Sequence, residues 1–344
     1  MYVRRKLRWS IILRFGWRDI LWFTLWSIGV TGAYLFAQGH GVNLGIPFAP
    51  LGTIGVAVAF YLSFKNSQAY DRFWEARKIW GGVVNESRTL ANMVLNFWTT
   101  PGVEPGDGRG AEDPSAEVKE TQRRIIYRHL AWVNALRVQL RATTMGDRKD
   151  HMSHAPDLLL RLDRMFQDEV YGFLEEPERL PMCTKVNTAT QLLHRQGQEV
   201  RKALAKGSID LFHESTVHMV LRELYALQGK CERIKSTPFP RQYAYFSSLF
   251  VKIFALLLPF ALVHEFHMIH QGSAIWIVVP FSVLISWIFQ TIESVGDNSE
   301  DPFENYINDV PMTAICRTIE IDLRQMLGET DLPSKVEPIG DILM

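Results

Sequence analysis

Residues 51–77, LGTIGVAVAFYLSFKNSQAYDRFWEAR, decide how the rest of the chain is read. Residues 51–64 carry no charge, and small side chains recur at Gly52, Gly55, Ala59 and Ser63. That three-to-four spacing places them on one stripe of a helix, where small side chains let neighbouring backbones come close. A second stripe holds Val56, Phe60 and Phe64, each four residues from the last. From Lys65 the character changes, and Asp71, Arg72, Glu75, Arg77 and Lys78 follow with no Gly or Pro between them. One helix is therefore expected to leave an apolar medium and continue into water.

Working outward, the same segregation marks the whole chain. Of 344 residues 22% are charged, which alone does not announce a membrane protein. The charges crowd into residues 1–18, residues 65–241 and the tail after Glu293, and the stretches between are nearly free of them. Basic and acidic residues balance at 37 each, so overall charge gives no reason to expect nucleic-acid binding. Cys183, Cys231 and Cys316 lie far apart, without metal-ligand spacing. They fall in segments assigned to the cytoplasm, where free thiols are the rule.

Residues 1–18 are rich in Arg and Lys and hold no acid. No small-residue cleavage site closes the apolar run that follows, so a basic arm on the inner membrane surface fits better than a secretory leader. Trp9, Trp17, Trp22 and Trp26 suit an interface crossing. A first span is expected over 20–36 and a second over 50–64, joined by an uncharged external turn at 37–50. The second is short against the roughly 17–25 residues that a bilayer core takes. Either its helix runs on past Lys65, or it is enclosed by protein rather than lipid; enclosure is the reading preferred.

Residues 65–241 read as a helical cytoplasmic domain, with a Gly-, Pro- and acid-rich flexible loop at 99–118. Helices are expected over about 120–143, within 156–180, and over 188–231 with a break at Gly207. Residues 242–292 hold spans three (243–263, with Lys252 inside) and four (273–292, with a break at Pro280). Residues 293–344 return to the cytoplasm and form an amphipathic helix from about Pro311. No alternating β pattern and no internal repeat is present. Residues 1–64 are thus expected to hold the N-terminal basic arm and spans one and two; the two external turns hold no Lys or Arg, so the positive-inside rule puts both termini in the cytoplasm with four spans.

Four short spans with a helical domain between the second and third resemble the bestrophin family of ion channels, and its bacterial branch in particular. Residues 64–91 (FKNSQAYDRFWEARKIWGGVVNESRTLA), 229–243 (GKCERIKSTPFPRQY) and 300–320 (EDPFENYINDVPMTAICRTIE) carry the likeness. The resemblance implies an all-α polytopic membrane protein, a homopentamer in a bacterial inner membrane with span two lining one central pore. It implies a hydrophobic neck of Val56, Phe60 and Phe64. It also implies a second, cytosolic constriction, which ungapped counting back from Cys231 puts at Phe212. The implied function is passage of small monovalent ions, with chloride-type anions favoured and a sodium-type cation as the alternative. The implied partners are other copies of the chain, membrane lipid and small inorganic ions, with no nucleic acid.

Animal members bind calcium just after the fourth span. The matching stretch here keeps Asp301, Glu304 and Asp309 but lacks a run of consecutive acids. Calcium wants six to eight oxygens, roughly, in close array, so a capped turn is the ordinary reading and no cofactor is expected. Residues 264–270, HEFHMIH, are not HExxH, because Met268 stands where the second His is required. They read as an external turn. Asp71, Arg72, Glu75 and Arg77 read as intersubunit pairs rather than an active site. No phosphate loop, nucleophile elbow or zinc spacing is present, so the chain is not expected to be an enzyme. A secondary transporter would show inverted repeats and broken helices; that class and a non-conducting scaffold are the remaining alternatives.

Overall fold

The computed structural model describes residues 1–3, 9–101, 114–141, 166, 168–269, 273–304 and 308–344. The expectations for the basic arm at 4–8, most of the loop at 99–118, the first half of 156–180, His270 and residues 305–307 thus lie outside the described residues. Among those described, the structure is helical: α1 (Trp9–Gly39), α2 (Phe48–Phe97), α3 (Ala116–Arg141), α4 (Glu176–Cys183), α5 (Thr188–Ala205), α6 (Leu211–Ser236), α7 (Arg241–Ile269), α8 (Val278–Ser299) and α9 (Met312–Met326). The backbone divides into two compact units. One comprises Val3–Phe73 and Pro238–Asp301, the other Met1–Tyr2, Trp74–Thr237 and Pro302–Met344. Along α2 the break between the units falls after Phe73, within a continuous helix.

The first unit holds α1, the first half of α2, α7 and α8. Among the described residues, four helices are long and apolar enough to cross a membrane: Gly16–Gly39, Phe48–Phe97, Arg241–Met268 and Ile275–Ser299. α2 starts at Phe48 with Pro50 in its first turn, where a missing N–H costs nothing. Its 50 residues answer the question left by the short second span: the helix does run on. The expected break at Pro280 is absent; a 3₁₀ turn over Ser273–Ile277 leads into α8, and Pro280 sits in the first turn of that helix. Pro259 lies inside α7, where it removes one helical hydrogen bond. The Trp26 indole, stacked on Trp22, donates to the Leu256 carbonyl nearby at 3.1 Å. Tyr34, Leu51, Phe254, Leu258, Ala261 and Val278 form the apolar core.

The second unit is organised around α3, which is buried almost without a gap from Ile125 to Val138. A helix enclosed on all sides must satisfy its polar residues internally. Arg128, 1% exposed, donates to Glu178, Glu199 and Gln196. The Trp132 indole donates to Gln228 Oε1 at 3.0 Å. His129 shares a 2.8 Å hydrogen bond with the Ser87 hydroxyl, and burial pushes its pKa down from 6.5 to about 3, leaving the ring neutral. α5 and α6 are one expected helix broken at Gly207, as its φ of +72° requires. Ser208 N–H bonds Ala203 O and Gly207 N–H bonds Leu204 O, the paired bonds of a left-handed C-terminal cap.

α9 runs along α3 within the same unit, with Cys316 Sγ 3.8 Å from the Val133 carbonyl. Burial pushes the Cys316 and Cys231 thiols up to about 12, so both are inert packing groups. At the end of the chain, Gly340 and Asp341 take positive φ in a tight turn between Ile339 and Ile342. Met1 and Leu343 exchange both backbone hydrogen bonds across that turn's outer arm, at 2.6 and 2.8 Å.

Candidate neck of an ion path

α2 divides cleanly into two faces within the first unit. Leu51, Gly55, Val58, Leu62, Lys65 and Ala69 are buried, following the three-and-four rhythm of a packed helix face. Val56, Phe60 and Phe64 lie on another face and are 58%, 73% and 57% exposed. The residues expected to form a neck thus share one apolar stripe. No Asp, Glu, Lys, Arg or His occurs between residues 51 and 64, so no charged side chain competes with those rings along that length.

Packing against α7 and α8 fixes where the stripe points. At Gly55 an added Cβ would lie 2.9 Å from the Phe254 ring, so the missing side chain is what admits that ring. Of the other small residues of the stripe, Ala59 and Ser63 are exposed, and a Cβ at Gly52 would meet only Phe48 of the same helix, at 3.5 Å. Tyr61 stacks on Tyr243 with ring centroids 6.1 Å apart. One residue beyond Phe64, Lys65 is 1% exposed and its Nζ lies 3.2 Å from Glu293 Oε1 and 2.8 Å from Asp297 Oδ1. Lys65, where the charged part of α2 begins, is therefore not in water but is a buried cation with two carboxylate partners. Glu293 and Asp297 stand four apart on α8, a spacing that would have flagged them as one face.

Arg72 donates from Nε to the Glu300 carbonyl at 2.8 Å and lies 3.6 Å from Asp301. Glu75 accepts from Arg233 at 2.7 Å. Both residues thus have charged or polar partners within their own chain, Arg72 in Glu300 and Asp301 and Glu75 in Arg233. Phe212 is 83% exposed in the first turn of α6, a turn capped by Asp210, whose carboxylate accepts from His213 N–H at 2.8 Å. Phe97 stacks on His213 at 4.1 Å beside it. Lys252 is exposed on α7.

The calcium candidates have separate duties. Asp301 faces Arg72, Glu304 accepts from Lys235 at 2.6 Å, and Asp309 Oδ1 accepts from Phe303 N–H at 2.7 Å and Val310 N–H at 2.6 Å. Those bonds hold a buried Phe303 at φ +79°, a backbone that a bulky residue adopts only under such constraint. Among the described residues no group of three or more His, Cys, Asp or Glu is placed to hold a metal ion. His264 packs by Gly45, and His267 pairs with Gln38 at 2.6 Å against the Tyr34 ring, so these two rings of the expected turn are tied to different neighbours.

A helical membrane protein with a charge-free, ring-bearing face on its second apolar helix is the class these features define. The chain belongs to the bacterial and fungal bestrophin family, whose model matches residues 3–325. It is 32% identical over 343 residues to a protein of Escherichia coli (strain K12) named voltage-dependent anion channel-forming protein YneE, covering 98% of this chain and 95% of that one. A Ralstonia nicotianae protein, named voltage-dependent anion channel-forming protein RSc3414, is 28% identical over 339 residues and covers 96% of each chain. The crystal structure of a bacterial bestrophin homolog from Klebsiella pneumoniae superposes with a TM-score of 0.71 at 29% identity, covering 90% of this chain and 98% of that one.

Proposed function

We propose that this chain assembles as a homopentamer in a bacterial inner membrane, both termini cytoplasmic, and conducts small monovalent anions. The path runs along α2 through a neck of Val56, Phe60 and Phe64, with a second constriction at Phe212. The observation that carries this reading is the row of three uncovered apolar side chains on a helix whose opposite face is packed. Lipid could cover such a row, but so could its own copies, and the family membership favours the second. In a narrow apolar ring water is unstable, and slight widening rewets it, so the ring gates without a plug. Five copies of Phe60 and Phe64 would stack two aromatic rings in the path. A Phe ring is positive at its edge, so rings turned edge-on favour an anion. The channel-forming relatives, named for anions, support that sign.

The test is a planar-bilayer recording of the purified protein under asymmetric sodium chloride. A reversal potential of chloride sign supports the reading, and one of sodium sign replaces it with a cation path. Phe64→Ala and Val56→Ala should each enlarge single-channel current or open a silent channel. Unchanged conductance in both would remove these residues from the path.

A further inference from the structure

The buried charge cluster beside the neck has no place in conduction as described above, yet it sits one residue from Phe64. Lys65 bonds two carboxylates one helical turn apart on α8, with side chains 4% (Glu293) and 18% (Asp297) exposed. Asn66 adds a 3.1 Å hydrogen bond from Nδ2 to the Ile292 carbonyl. At Gly296, between the two acids, an added Cβ would lie 2.0 Å from Asn66 Oδ1 and 3.8 Å from Lys65 Cε. The two helices therefore approach as closely as a glycine allows at the level of the lowest neck ring.

Stability alone does not account for this arrangement. Replacing a buried ion pair by apolar groups of similar volume is commonly neutral or stabilising, whereas removing one partner is costly. What such a pair does supply is position, because a charge held by directional bonds has one acceptable place while an apolar contact tolerates sliding. On a helix whose side chains reach about 5–6 Å from its axis, a turn of roughly 20° would carry a ring by about 2 Å. An apolar constriction responds steeply to that displacement.

Resting on the reading of α2 as the pore-lining helix, we infer that Lys65 is the positioning residue of the neck. Held between Glu293 and Asp297, it sets the rotation and height of α2 and so the aperture left by five Phe64 rings. It touches no permeating ion; it acts through Phe64.

The experiment compares purified full-length channels in planar bilayers, with thermal unfolding and particle size measured in parallel. The volume-conserving neutral variant combines Lys65→Met, Glu293→Gln and Asp297→Asn. It should keep its particle size and unfolding temperature while open probability or conductance changes on the order of fivefold or more, the scale of coupling between linked elements. Asp297→Asn alone, which leaves Glu293 in place, should shift the same quantity in the same direction by less, and serves if the triple variant does not fold. In a Phe64→Ala background neither set should change conduction further, because the ring they position is gone. Wild-type conduction in both sets, or an effect that simply adds to that of Phe64→Ala, overturns the inference while leaving the neck intact. If Phe64→Ala leaves the current unchanged, this inference fails; if Val56→Ala does so as well, the neck reading has failed first and takes this inference with it.

Discussion

Acidification should destabilise this protein through one buried ring, His129. Its Nε2 bonds the Ser87 hydroxyl, its Nδ1 has no partner, and the surrounding α3 core excludes water. The folded pKa of about 3 lies far below the ordinary 6.5. Above pH 6.5 both folded and unfolded chains carry the neutral ring, so the contribution to stability is fully present. As pH falls through 6.5 the unfolded chain binds a proton that the folded chain refuses until about pH 3, and stability is lost over that window. The slope is about 1.36 kcal/mol per pH unit, so two units of acidification below 6.5 remove about 2.7 kcal/mol. His129→Gln keeps a hydrogen-bonding partner for Ser87 and deletes the titration. Thermal unfolding of detergent-solubilised wild type and variant at pH 7.5, 6.5, 5.5 and 4.5 isolates the term, since the other nine histidines cancel in the difference. The gap between the two should move in the variant's favour by several degrees towards pH 4.5. Parallel pH curves would refute a buried neutral ring at this position.

Two further perturbations address the same unit. Arg128→Met leaves Glu178 and Glu199 without their buried cation and should cost about 3–5 kcal/mol, read as a large drop in unfolding temperature. Gly207→Ala meets no atom within 4 Å yet forces a Cβ into φ +72°, so about 1–2 kcal/mol should be lost through backbone alone; Gly207→Asn should lose less, and equal losses would argue against strain as the cause.

The sequence carried the helical course of the chain because hydrophobic runs and breakers act locally. Gly207 announced its cap, the 56–60–64 stripe announced a face, and the absence of Gly and Pro from 65 to 78 announced that α2 continues. What it concealed depends on partners far along the chain. Lys65 looked like a first step into water because its acids lie more than 220 residues away. Arg72 and Glu75 looked available to a neighbouring subunit until Asp301 and Arg233 came into view. The pairing of Met1 with Leu343 has no local signature at all, since two backbone bonds between opposite ends leave no pattern in side-chain type. For the neck, residue type and spacing were readable, but which of two equally apolar faces packs inward was decided by Phe254 fitting against Gly55.

The unbroken course of α2 has a consequence for how this chain tolerates change. Its 50 residues span about 75 Å with no Gly–Pro hinge, bulge or loop to absorb a slip. Inserting one residue anywhere between Phe64 and Ala76 would swing everything after it by about 100°. That would send Ala76 and Trp80 out of their core while leaving the rings above untouched. Residue identity can vary at the exposed positions of this rod, but its length between Phe64 and Ala76 cannot change without turning Ala76 and Trp80 away from the side chains that bury them.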